Sequence, residues 1–126
     1  MSAAARRRAQ ARGRLAESLA AWWLRLQGYR ILVQGFRVPS GEIDIVARRH
    51  STLAIVEVKR RASLAAAGEA VSRRQRRRIQ HAAEAYLQRH PELTRLQLRF
   101  DAILLAPRHL PRHIKDAWQA DMILPQ

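Results

Sequence analysis

Asp44, Glu57 and Lys59 are the residues of this sequence best suited to do chemistry. Asp44 lies in the run Glu42 to Arg48, and Glu57 and Lys59 lie in the run Thr52 to Arg60. Both runs are rich in Ile and Val and are joined by a short polar turn, so they read as a β-hairpin. Side chains alternate along a strand. Glu42, Asp44, Val46 and Arg48 therefore share one face of the first strand, and Leu53, Ile55, Glu57 and Lys59 share one face of the second. The opposite faces, Ile43, Ile45 and Ala47 with Thr52, Ala54, Val56 and Val58, must lie on the same side, because a slip of one residue would invert a strand. A two-residue turn at His50 and Ser51 meets that condition. It pairs Val46 with Ile55, Ile45 with Val56 and Ile43 with Val58, and it sets Asp44 opposite Glu57 and Glu42 opposite Lys59.

Like charges directly opposite one another are destabilising, with Cβ atoms about 4.5–5.5 Å apart. Asp44 and Glu57 therefore need a proton, a cationic neighbour or a metal. Carboxylates are hard oxygen ligands suited to Mg²⁺ or Mn²⁺. Glu42 and Asp44, on one strand, stand about 7 Å apart by the strand rise and make a poorer pair for a single ion. The competing arrangement is an ion-pair cluster in which Lys59 and an arginine neutralise both acids. The identity of the cation favours chemistry: of 24 basic residues only Lys59 and Lys115 are lysines. Lysine shifts its pKa readily on burial, whereas arginine stays charged.

The rest of the composition points to a polyanionic partner. The 126 residues suit a single compact domain, and their formal net charge is +14. Nucleic acid is the first candidate for such a charge; an anionic membrane surface and a merely basic exterior are the alternatives. Arg73, Arg74, Arg76, Arg77 and Arg78 repel one another within one helical segment, so an anion is their natural partner. Arg6, Arg7, Arg8, Arg60 and Arg61 extend the set. Binding of about 5 phosphates would give a slope near −4.5 in log affinity against log salt. The absence of cysteine excludes disulfides and cysteine-ligated zinc or iron–sulfur centres and fits a reducing cytoplasm. No stretch approaches the roughly 20 apolar residues of a membrane span.

Stepping outward, helix 4–27 carries Leu15, Leu19, Trp22, Trp23 and Leu26 on one stripe, and Gly28 is placed to cap it. Its arginine-rich start has a transit-peptide composition, but it runs unbroken into Leu15, Ala16 and Glu17 and reads as a basic arm, residues 1–12, leading into a domain of residues 13–126. A strand over 29–38 ends at the turn Pro39-Ser40-Gly41 and precedes the hairpin. A small-residue loop over 62–68 leads to a second helix over 69–89, with Val71, Ile79, Ala82, Ala83, Tyr86 and Leu87 inward, stopped at Pro91. A fourth strand follows over 96–105. Ile114, Trp118 and Met122 suggest a short C-terminal helix. A helix between the third and fourth strands implies a parallel, right-handed crossover. The sheet is then mixed and flanked by helices, an α/β architecture with an α-β-β-β-α-β core.

Gly41-Glu42-Ile43-Asp44 followed by Glu57-Val58-Lys59 resembles the PD-(D/E)xK nuclease signature. The chain is more closely similar to the YraN family of small bacterial predicted endonucleases, which resemble archaeal Holliday-junction resolvases. Gly13 and Glu17, Gly28-Tyr29, Ala70-Val71, Tyr86-Leu87 and Arg99-Phe100-Asp101 extend the likeness over nearly the whole chain after the arm. The resemblance implies a restriction-endonuclease-like fold and a single nuclease-like domain. It also implies metal ligation by Asp44, Glu57 and the Val58 carbonyl, with Mg²⁺ or Mn²⁺ as the cofactor and no small-molecule one. Lys59 would position water or stabilise phosphorane charge, Glu17 would approach from the first helix, and Glu42 completes the acidic set. Gln75 would touch the site or the phosphate, beside Arg60, Arg61, Arg73, Arg74, Arg77 and Arg78 as nucleic-acid contacts. The expected activity is endonucleolytic hydrolysis of DNA, selective for branched or single-stranded forms. A DNA-binding module without efficient catalysis and a structural protein with an ion-pair cluster are the alternatives. The oligomeric state stays open, with a dimer allowed. Asp101 with Arg99 reads as a structural pair. His109 and His113 are set aside as zinc ligands because Pro111 breaks a helix there. Trp22 and Trp23 read as packing residues.

Overall fold

The computed structural model describes residues 2–63, 65 and 71–120. The chain runs α1 (Ala3–Leu26), β1 (Arg30–Val38), β2 (Gly41–Arg49), β3 (Thr52–Arg60), α2 (Arg73–Arg89), a 3₁₀ turn (Pro91–Arg95), β4 (Gln97–Leu105) and β5 (Arg112–Trp118). The five strands form one sheet in sequence order. β1, β2 and β3 are an antiparallel meander, β3 and β4 are parallel, and β5 returns antiparallel to β4. The parallel pair is the one the intervening helix requires. The basic arm is helical from Ala3 and continuous with α1, whose first turn is capped by Ser2.

Alternation on β2 and β3 separates two cores. Leu53, Ile55 and Val46 pack with Ile79, Ala82, Ala83 and Tyr86 of α2. Ala54, Val56, Ile45 and Ala47 pack with Ala16, Ala20, Ala21 and Leu24 of α1. The helices thus cover opposite faces of the sheet.

Three expectations are corrected. The large apolar stripe of α1 faces outward: Leu15, Leu19, Trp22 and Leu26 are each more than half exposed, while the alanines are buried. Small side chains on α1, on Ala47 and on Ala54 let the helix axis approach the sheet closely, which a leucine–tryptophan face would prevent. The C-terminal helix is instead β5, with Trp118 stacked on Phe100 at 5.6 Å between centroids. A spacing of four residues fits both a helix turn and a strand face, so Ile114 and Trp118 did not discriminate; Met122 lies outside the described residues. α2 starts at Arg73, later than expected, because Ser72 and Gln75 form a reciprocal capping box there. Glu69 and Ala70 lie outside the described residues.

Candidate active site

The β2–β3 ladder keeps the expected register from Arg49↔Thr52 to Ile45↔Val56. Beyond that pair β2 leaves β3, although it stays paired with β1 to its first residue. The Val58 N–H donates to Asp44 Oδ2 at 2.7 Å, so a carboxylate takes the place of a strand carbonyl. Ile43 accordingly packs on the α2 side while Ile45 and Ala47 pack on the α1 side, which corrects the expectation of one shared face. The expected pairing of Ile43 with Val58 is absent from the ladder. Gly41 is required where β2 begins: a Cβ there would stand 1.7 Å from the Arg78 carbonyl oxygen of α2.

Asp44 and Glu57 still converge, through a side-chain hydrogen bond. Glu17, from the sheet-facing side of α1, also hydrogen-bonds Asp44. Burial raises Asp44 above the usual carboxylate range, and Glu42 adds to the rise. Glu57 is pushed up to about 8 by burial and by the negative charge of Asp44, with Lys59 pulling the other way. Glu17 is pushed up to about 7 by burial and by Asp44. Glu57 therefore favours its protonated form near neutral pH and Glu17 titrates there, and both hydrogen-bond toward Asp44, which already accepts from the Val58 N–H.

Lys59 is buried, with its Nζ donating to Gln75 Oε1 at 3.1 Å and standing 3.7 Å from Glu57 Oε1. Gln75 thus reaches the site from the first turn of α2. Glu42 does not face Lys59. It pairs with Arg37 at 3.2 Å, the residue opposite it on β1, and is half exposed. The β2–β3 ladder ends before this position, so no strand pairing sets Glu42 opposite Lys59. Glu42 and Glu57 line a small cleft with Gln75 and Arg78 on the α2 side. Arg73, Arg74 and Arg77 are exposed on the same helix.

On the α1 side a groove of about 650 Å³ leads to Asp44, between Ala9–Glu17 of the helix and Arg37, Val58, Arg60 and Arg61 of the sheet. Arg12, Arg14 and Arg37 of this groove were not singled out by sequence reasoning. For Arg37 the signal was present: a tight turn at Pro39-Ser40-Gly41 places it opposite Glu42.

The donor set suits a hard divalent cation, because protons on crowded, buried carboxylate oxygens occupy positions that a cation would neutralise. Among the described residues no three acidic or histidine side chains close around one point. A cation here would take Asp44, Glu57 and main-chain or water oxygen.

A helix, a three-strand meander, a second helix and a mixed sheet whose second and third strands part at paired acids define the restriction-endonuclease-like class. The chain belongs to uncharacterised protein family UPF0102, whose model matches residues 16–105, the YraN family that the motifs resemble. It is 53% identical over 117 residues to a UPF0102 protein of Paramagnetospirillum magneticum, covering 90% of this chain and 91% of that one. It is 56% identical over 108 residues to one of Nitrobacter winogradskyi, covering 86% and 92%. A third, from Bradyrhizobium diazoefficiens, is 56% identical over 105 residues, covering 83% and 79%.

Proposed function

We propose that the protein is a metal-dependent endonuclease that hydrolyses phosphodiesters in DNA, with selectivity for branched or single-stranded forms. The observation that carries this reading is the half-buried Asp44–Glu57 pair, with Lys59 Nζ 3.7 Å from Glu57 Oε1 and Asp44 held by the Val58 N–H, at the point where β2 leaves β3. Asp44, Glu57 and the Val58 carbonyl would hold Mg²⁺ or Mn²⁺, which supplies Lewis acidity toward a phosphoryl oxygen and a water of lowered pKa.

The chain's own residues have separable tasks. Asp44 fixes the site to the sheet through the Val58 N–H. Lys59, held by Gln75, presents an ammonium group where negative charge develops on the phosphorane. Glu17 stands beside Asp44 with an affinity for protons suited to exchange near neutral pH. Arg60 and Arg61 draw the phosphate backbone toward the site, and Arg73, Arg74, Arg77 and Arg78 extend the basic surface along α2. The absence of cysteine supports work in a reducing cytoplasm.

A second reading has one observation in its favour. Among the described residues only two side-chain carboxylates are set for direct ligation, which also suits a DNA-binding module that keeps the fold without efficient catalysis. The deciding experiment incubates wild type and Glu57→Gln with duplex, single-stranded and branched DNA in Mg²⁺ or Mn²⁺. Metal-dependent cleavage lost in Glu57→Gln is the expected result. Binding without cleavage by wild type selects the second reading, and neither activity rejects both.

A further inference from the structure

On the α1 side Asp44 is reached through a strongly basic groove beneath the helix, whereas Glu57 lines the cleft on the α2 side. Arg12 and Arg14 approach the groove from the helix and Arg37, Arg60 and Arg61 from the strands, with Asp44 within it. Its volume of about 650 Å³ is that of a pocket for one drug-sized ligand, roughly one or two nucleotides. Among the described residues no aromatic side chain lines it, so the backbone phosphates supply the attraction. α1 packs on the sheet only from Ala16 onward. The preceding turns stand over the groove as a wall.

Gly13 marks where that wall is thinnest. Glycine inside a helix is unfavourable, and neither backbone nor packing requires it at this position. It is not among the positive-φ residues, and a Cβ added there would meet nothing within 4 Å. It opens directly onto the groove.

We propose that the groove between α1 and the parting ends of β2 and β3 receives a single unpaired nucleic-acid strand, whose backbone passes closest to the helix at Gly13. The proposal rests on the nuclease reading for its product but not for its binding. A groove of about 650 Å³ takes a nucleotide or two of one strand and leaves the second strand of a duplex outside its arginines. A lone strand passes beneath the helix with its phosphates between arginines on both sides, so the site selects single strands, flaps or the unpaired arms of branched substrates without reading base identity.

The test is fluorescence anisotropy of the full chain, without divalent metal, on a labelled single strand of about twenty nucleotides and on a blunt duplex of the same sequence. Wild type is expected to bind the single strand at least tenfold more tightly. Gly13→Leu is expected to lose at least tenfold on the single strand, to change within twofold on the duplex, and to melt no lower than wild type. Ala11→Leu, on the outer side of the same helix, is expected to bind both DNAs as wild type does. Ala9→Leu, which fills the same groove one turn earlier, repeats the measurement should Gly13→Leu fail to fold. Equal or tighter binding of duplex by wild type overturns the proposal, as does undiminished single-strand binding by the groove-filling variants. Metal-dependent cleavage is measured separately, so its absence rejects the nuclease reading and leaves the strand site to stand or fall on binding.

Discussion

Asp44 and Asp101 lie on inner strands of one sheet, are both withdrawn from water, and are driven in opposite directions by their neighbours. Burial alone would raise Asp101, but hydrogen bonds from His113, Arg99 and the Asp116 N–H outweigh it and hold the group below the usual carboxylate range. Arg99 grips it with two bonds of 2.8 Å, His113 adds one of 2.7 Å, and the Asp116 N–H adds one of 3.0 Å. Asp44 has one backbone N–H, two carboxylic neighbours and a more distant Glu42, and it is raised. The first cluster is complete and ties β4 to β5 and, through Tyr29 and Gln27, to the end of α1. The second has more acid than its own cations neutralise. A buried carboxylate whose donors are all supplied by the fold serves the fold, whereas one that must borrow protons is set up for a cation from outside.

The largest expected effect tests the second half of that contrast. Glu57→Gln should lower the metal-dependent cleavage rate by about 10³-fold, roughly 4 kcal/mol in the barrier, without lowering metal-free stability. Single-turnover cleavage beside urea denaturation checks both. If the variant unfolds more readily than wild type, Glu57 serves the fold and the contrast fails. Next in size, Asp101→Ala should cost about 3 kcal/mol of stability, because it leaves Arg99 and His113 as uncompensated buried groups, while Asp44→Asn should cost less than about 1 kcal/mol. Similar losses in both variants would erase the distinction between the clusters.

The ion and the proton sharpen the comparison at smaller scale. Mn²⁺ at 100 times its dissociation constant should stabilise wild type by about 2.7 kcal/mol. Asp44→Asn should show no such gain, and thermal melts with and without the ion read the difference. In metal-free buffer Glu57, with its folded pKa near 8, binds more protons folded than unfolded above its ordinary value of 4.5. Its contribution is therefore fully present below about 4.5 and lost as pH rises through about 8. Glu17 behaves in the same way up to about 7. Asp101 has the opposite sign: its contribution is present above its ordinary 3.8 and lost as pH falls below its depressed pKa. Urea midpoints from pH 5 to 8.5 should decline in wild type and flatten in Glu57→Gln, with Asp101→Asn keeping the wild-type slope.

Alternation along β2 and β3 and the turn at His50 made the meeting of Asp44 and Glu57 legible in the sequence, because the apolar faces of the two strands had to lie on the same side of the sheet. The order of elements through β4 followed from the same periodicity and from the helix between β3 and β4. Periodicity does not report where a ladder stops, so the release of β2 after Ile45 and the turning of Glu42 toward Arg37 were not visible. Nor does apolar spacing say which stripe of an amphipathic helix meets the sheet. Leu15, Leu19, Trp22 and Leu26 made the more hydrophobic stripe of α1, yet the alanines allow the closer approach. β5 was hidden because its apolar residues recur every four positions and Asp116, at φ 54°, interrupts the strand pattern. The pairing of Asp101 with Arg99 was read correctly, but the share of His113 required knowing that β5 is a strand.

The smallest expected effect concerns how firmly each cluster holds its cation. Arg99 is fixed by paired bonds to Asp101, whereas Lys59 rests on Gln75 and a looser approach of 3.7 Å to Glu57. Gln75 has two tasks, because its Oε1 also accepts from the Ser72 N–H in the capping box of α2. Ser72→Ala removes the hydroxyl half of that box and leaves the bond to Lys59, so it should cost about 1 kcal/mol of stability with cleavage unchanged. Gln75→Ala should cost no more stability but slow cleavage about fivefold, roughly 1 kcal/mol, by releasing the ammonium group from its place beside Glu57. Measured together by denaturation and single-turnover rates, the pair separates the cap from the positioning. Equal slowing in both variants would mean that the helix terminus as a whole, and not the Gln75 amide, sets the position of Lys59.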